Sequence, residues 1–99
     1  ITASALMHVV GNSIGAEGLR LTGRGLADTT RLASSPPDIW RDICATNSDD
    51  VATALDKLII ELQAIKDDLD KGKAITRVFE SAGRWREVLA AEHHAQKNK

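Results

Sequence analysis

The segment Ser48–Asp70, SDDVATALDKLIIELQAIKDDLD, decides the fold of this chain. Its large aliphatic residues recur at steps of 4, 3, 4, 3 and 4, the heptad spacing of one face of an α-helix. We call these residues the heptad seam: Val51, Leu55, Leu58, Leu62, Ile65 and Leu69. Asn47 or Ser48 can cap the segment, and two aspartates follow in its first turn. The pattern predicts a helix that ends near Asp70.

Helical patterns also occupy the rest of the chain. Helices are expected from about 2 to 15, 25 to 33, 36 to 46, 48 to 70 and 74 to 91, before a polar tail that frays. Four glycines between residues 15 and 25 indicate an irregular segment. Ser35 before two prolines is typical of a helix start. No segment alternates with period two for long enough to form a strand, so the sequence predicts an all-α fold of about five helices.

Composition narrows the possible functions. The chain has 99 residues, a mass of 10.7 kDa and a net charge of -1, which favours one domain and argues against nucleic-acid binding. It contains no apolar run of membrane-spanning length and no secretion signal. A single cysteine, Cys44, fits a reducing compartment, so we expect a cytoplasmic protein that does not contact a membrane. Cys44 itself is expected to be a small buried hydrophobic residue.

Metal and dinucleotide sites are not expected. His8 and Cys44 are far apart in the sequence, and the adjacent pair His93-His94 would diverge by roughly 100° on a helix. Gly23-Arg24-Gly25 lacks the third glycine of a dinucleotide fingerprint and the strand before it. We therefore predict no metal ligands, no cofactor-binding residues and no catalytic residues in this chain.

Three arginines mark the best candidate for ligand binding. Arg20, Arg24 and Arg31 lie among glycines, and a guanidinium group can bind a carboxylate with two hydrogen bonds. Asp28 stands three residues before Arg31 and could orient it on one side of a short helix. An ordinary surface ion pair is the alternative. Trp40 and the heptad seam are most simply core, although such a seam can equally be a dimer face. A chain this small has a marginal core, which makes oligomerisation plausible.

The run from Gly25 to Leu69 resembles the C-terminal domain of prephenate dehydrogenases and the related arogenate dehydrogenases. The family typically shows a glycine, a run like Asp28-Thr29-Thr30-Arg31, a Ser-Pro helix start, the sequence Trp-Arg-Asp-Ile found here at 40–43, an asparagine and a long leucine-rich helix. Residues 1–15 are similar to the helix that precedes this run in the family. The resemblance therefore covers nearly half of the chain in detail, and residues 1–15 add to it.

The resemblance implies an α-helical dimerisation domain like the C-terminal domain of 6-phosphogluconate dehydrogenase. Residues 1–99 would be a single C-terminal domain for dimerisation and substrate binding, and the Rossmann domain would lie outside this chain. The complete enzyme would use NAD or NADP to decarboxylate prephenate or arogenate oxidatively in tyrosine biosynthesis, whereas this fragment would bind no cofactor and be inactive. Arg31 matches the arginine that meets a substrate carboxylate, Asp28 the acid beside it, and Trp40 a tryptophan near the site or dimer face.

Two alternatives remain open from the sequence. One is a helical interaction module without a catalytic role, which would bind a partner helix through the heptad seam. The other is the helical domain of a different two-domain dehydrogenase, which would share the architecture and differ in substrate. A glycine fingerprint after a strand, within the roughly 200 residues before this segment in a longer reading frame, would favour a dehydrogenase.

Overall fold

The computed structural model describes residues 1–97, and the regular structure of these residues is entirely helical. The five α-helices are α1 (Thr2–Leu19), α2 (Arg24–Thr29), α3 (Pro37–Thr46), α4 (Ser48–Asp67) and α5 (Lys73–Lys97). A 3₁₀ helix, Arg31–Ser34, lies between α2 and α3. The all-α prediction is confirmed. The chain forms two units, an amino-terminal unit, Ile1–Thr46, and a carboxyl-terminal unit, Asn47–Lys99. None of the described helices is long and apolar enough to cross a membrane.

Gly15 interrupts the first helix of the amino-terminal unit. Its φ of 66° and ψ of -179° are not helical, so the chain changes direction there before the helix resumes and ends at Leu19. Glycine tolerates this positive φ because it has no Cβ atom. The sequence therefore predicted the position of the break correctly but not the short helical turn after it.

The helix start predicted after Ser35 is confirmed, although the hydroxyl group of Ser35 makes a different hydrogen bond from the capping bond that such a serine usually makes. This hydroxyl group donates a hydrogen bond of 2.7 Å to the carbonyl oxygen of Leu32, and α3 begins two residues later at Pro37. The reason is the 3₁₀ helix directly before it, whose terminal carbonyl groups need donors of their own. Thr30 makes a similar contact, since its buried hydroxyl group donates to the carbonyl oxygen of Leu26 at 2.7 Å.

The side chain of Asp68 caps the amino-terminal end of α5. Helix α4 ends at Asp67, and one carboxylate oxygen of Asp68 accepts a hydrogen bond of 2.8 Å from the backbone N–H of Ala74, one of the two buried residues of the described chain. Gly72, with a φ of 74°, allows the tight reversal between the two helices. The sequence predicted the break at residues 71–73 but not this cap, which comes from six residues away.

Replacing Asp68 with alanine is expected to lower the free energy of unfolding by about 1 kcal/mol, because a helix N–H group loses its acceptor. Asp68→Asn should retain most of the stability, since an amide oxygen can accept the same bond. Urea denaturation followed by circular dichroism measures both changes. Asp70→Ala, at an exposed position in the same turn, is the control, and an equal loss in both alanine variants would contradict the assignment.

An ion pair joins α4 to α5. The guanidinium group of Arg77 donates to both carboxylate oxygens of Glu61, with N–O distances of 2.7 and 3.3 Å. These hydrogen bonds hold the pKa of Glu61 below its ordinary value and raise the pKa of Arg77. The two side chains are about half exposed, so the contact orients the helices but is screened by solvent.

The stability that this ion pair contributes should depend on pH. Because the folded-state pKa of Glu61 is lowered, its contribution is complete above the ordinary carboxyl pKa and is lost as the pH falls through the lowered value. The urea midpoint of Glu61→Gln should therefore fall less than that of the unchanged chain between neutral pH and about pH 3. Asp56→Asn, at an exposed acid of the same helix, is the control. Identical pH dependence in the unchanged chain and the Gln variant would contradict this account.

The described chain has almost no buried core. Thr30 and Ala74, each 8% exposed, are the only buried residues among those described. In the heptad seam four residues are half-buried against their own unit, whereas Leu62 and Leu69 are 56% and 61% exposed. The expectation that the seam is core is therefore only partly met within one chain.

Surface area gives the same result. The chain exposes 8504 Å². Two separate compact bodies of half its mass would together expose about 6,600 Å². The excess of roughly 1,900 Å² is within the share that one partner contributes to a large obligate interface.

Candidate functional site

A cleft of about 710 Å³ lies within the amino-terminal unit. Its walls come from the first residues of the chain, the 3₁₀ helix and its end, and one face of α3. The lining residues are Ile1, Thr2, Ala3, Ser4, Leu32, Ala33, Ser35, Pro37, Trp40, Arg41 and Cys44. Most of these side chains are apolar, and the polar groups are few, which is the usual composition of a small-molecule site.

Trp40 and Cys44 lie one helical turn apart on the cleft face of α3. The indole of Trp40 is 45% exposed, so the interpretation of Trp40 as a simple core residue is wrong for the single chain. Cys44 is half-buried rather than buried. The helix thus presents an accessible aromatic surface to the cleft, on which a ring or an apolar side chain could stack.

Arg41 supplies the positive charge of the cleft. Its guanidinium group donates to the Asp38 carboxylate three residues earlier on α3, and both side chains are largely exposed. Arg41 was not among the site residues predicted from the sequence. The i,i+3 spacing of an acid and an arginine beside Trp40 was the signal that could have found it.

Arg31 and Asp28 do not line this cleft. Both are exposed, and the structure shows no ion pair between them. The reason is local: Asp28 belongs to α2, Arg31 opens the 3₁₀ helix, and Thr30 between them has a φ of -106° and a ψ of 11°. The assumed continuous helix is therefore broken. Arg31 directly precedes Leu32, which does line the cleft.

The described residues offer no constellation for a metal or a dinucleotide. They contain no group of three or more histidine, cysteine or acidic side chains that could hold a metal ion. Gly23 and Gly25 lie at the start of α2, a helix of six residues, and no strand precedes it among residues 1–97. This geometry does not fit a dinucleotide-binding turn, which joins a strand to a long helix.

Comparison with known proteins gives two matches. The sequence model of the family described as "Prephenate dehydrogenase, dimerization domain" matches residues 1–82. A curated relative, the prephenate dehydrogenase of Bacillus subtilis (strain 168), is 33% identical over 93 residues, which cover 90% of this chain and 25% of the relative. The chain thus spans a quarter of that relative's length. No solved structure gives a significant match.

Proposed function

This chain belongs to the family of prephenate dehydrogenase dimerization domains, and on that premise we propose that it forms the homodimer of a prephenate or arogenate dehydrogenase. The observation that carries the proposal is the exposure of apolar side chains together with the match over residues 1–82. A chain with only two buried residues among those described gains its core by packing against another chain. A second copy provides that surface in a dimerisation domain.

The complete enzyme would oxidise and decarboxylate prephenate to 4-hydroxyphenylpyruvate, or arogenate to tyrosine, in tyrosine biosynthesis. NAD or NADP would accept the hydride. Residues 1–97 do not fit a dinucleotide site, so a further domain would have to hold this cofactor. The proposed role of residues 1–99, as one domain, is dimerisation and the completion of the substrate pocket.

Three residues are proposed to contact the substrate. The guanidinium of Arg31 would bind a substrate carboxylate, Asp28 would help to position the arginine, and Trp40 would pack against the ring. The position of Trp40 on the cleft supports its role. Because the structure shows no ion pair between Asp28 and Arg31, Asp28 could act only after a change in its local geometry, for instance on substrate binding or dimerisation.

A chimeric enzyme tests this function. This chain would replace the homologous segment of the Bacillus subtilis prephenate dehydrogenase, and prephenate-dependent reduction of NAD would be measured by absorbance. We expect a dimeric and active chimera, whereas the relative without that segment should be inactive. A folded, dimeric chimera without activity would refute the enzymatic role and favour an interaction module.

A further inference from the structure

Helix α5 continues well beyond the part of the chain that the family model matches. The match ends at residue 82, whereas the helix runs without interruption to Lys97. Its apolar spacing continues as well, because Val78, Ala82, Trp85 and Leu89 follow one another at steps of 4, 3 and 4. Trp85 and Leu89 therefore extend a stripe that begins inside the matched region.

This distal half of α5, Ala82–Ala95, is exposed at every position. Trp85 is 70% exposed, and its neighbours on the stripe, Val88 and Leu89, are exposed as well. A helix of about 12 to 15 residues is marginal in water without tertiary contacts. The distal half thus has the apolar pattern of a helix that packs, while Trp85, Val88 and Leu89 are exposed in the single chain.

The charges of the distal half favour packing on one side. Arg84 and Glu87 lie roughly 100° and 160° around the helix from Trp85, away from the stripe, whereas Glu92 lies about two turns after Trp85 on the face of the stripe itself, so the apolar stripe ends at Leu89. An apolar stripe on one side and charges on the other are typical of a helix at a protein interface.

We propose that the apolar stripe of the distal half of α5 packs against a second copy of this chain. The inference rests on the proposed homodimer and extends its interface beyond residue 82. Two observations favour a second copy as the occupant. The stripe is continuous with the matched dimerisation segment through Val78 and Ala82. The excess surface of the chain is also as large as one partner's share of an obligate dimer.

Tryptophan fluorescence provides the test. Trp40 and Trp85 are the only two tryptophans, so Trp40→Phe leaves Trp85 as the sole reporter in the 99-residue chain. At a concentration where sedimentation shows a dimer, Trp85 should emit at a shorter wavelength than N-acetyltryptophanamide and be quenched several-fold less by acrylamide. The cause is burial of an indole that is exposed in the single chain.

The other outcomes of the fluorescence experiment distinguish failure of the homodimer from failure of the proposed contact of the α5 stripe. A dimer in which Trp85 is quenched as readily as N-acetyltryptophanamide overturns this inference and leaves the homodimer intact. A folded chain that is monomeric at all concentrations overturns the homodimer and the inference with it. Protection of Trp85 in a folded monomer means that its own chain covers the stripe, which also overturns the inference.

A second pair of variants keeps the test valid if Trp40→Phe disturbs folding. Trp85→Gln in the otherwise unchanged chain should raise the dimer dissociation constant by roughly 10- to 100-fold, as expected for a buried aromatic anchor. The matched control is Glu87→Gln, on the charged face, which should change it by less than about threefold. Equal dissociation constants for the two variants would overturn the inference.

Discussion

Leu62→Asp is expected to dissociate the dimer and to unfold the chain at the same time. Leu62 is a seam residue in the second half of α4, and 56% of it is exposed in the single chain. In the proposed dimer this side chain is buried, and an unpaired carboxylate there costs several kcal/mol. That cost is comparable to the entire stability of a small domain, about 5 kcal/mol or more. Sedimentation and circular dichroism should show loss of both the dimer and the helical signal.

Because Leu62 is exposed in the single chain, the effect of Leu62→Asp distinguishes a dimer from a monomer. If the chain functioned as a monomer, Leu62→Asp would be a surface substitution and would change stability by about 0.5 kcal/mol at most. Thr53→Asp is the matched control, because Thr53 is exposed and lies nine residues, or about 180°, around α4 from Leu62. Equal stability of the two variants would contradict the dimer.

Arg31→Ala in the chimeric enzyme should lower kcat/KM for prephenate by roughly one to two orders of magnitude. A hydrogen bond to a charged group contributes about 1.5 to 3 kcal/mol, and the alanine variant removes that bond. Lysine should restore only part of the activity, because a point charge does not reproduce a bidentate contact. Asp28→Asn should cost less, since the structure shows no ion pair between the two residues. Steady-state kinetics measures each change.

Which kinetic constant changes in Arg31→Ala shows whether Arg31 contacts the substrate equally in the ground state and the transition state. A raised KM with unchanged kcat means that Arg31 binds the ground state and the transition state equally. A lowered kcat means that the contact tightens during decarboxylation. Arg24→Ala is the comparison, because the sequence also made Arg24 a candidate for carboxylate binding, whereas the proposal assigns the substrate contact to Arg31 alone. Unchanged kinetics in a folded, dimeric Arg31→Ala enzyme would leave Arg31 an ordinary surface residue.

The helices were predictable where local sequence determines them. The heptad seam predicted α4, and the Lys71–Lys73 break predicted the turn, because periodicity and glycine act over a few residues. The contact between Asp68 and Ala74 and the ion pair between α4 and α5 were not predicted. Both contacts depend on how the chain reverses at Gly72. The spacing of apolar residues does not specify the geometry of that turn.

The candidate site was less predictable, for a similar reason. The resemblance selected Trp40, which lines a cleft, but spacing alone placed Asp28 and Arg31 on one helix. The structure ends α2 at Thr29 and begins a 3₁₀ helix at Arg31. Exposure of the seam could not be predicted either, since an apolar stripe looks the same whether its partner is in the same chain or another.

Sedimentation equilibrium of the 99-residue chain at micromolar concentration tests whether the chain is a homodimer. We expect a helical particle of twice the chain mass of 10.7 kDa, whose helical signal and mass are lost together on dilution. A stable, cooperatively folded monomer of 10.7 kDa over the same concentrations would contradict it, because the exposed seam and the distal half of α5 would then need no second copy.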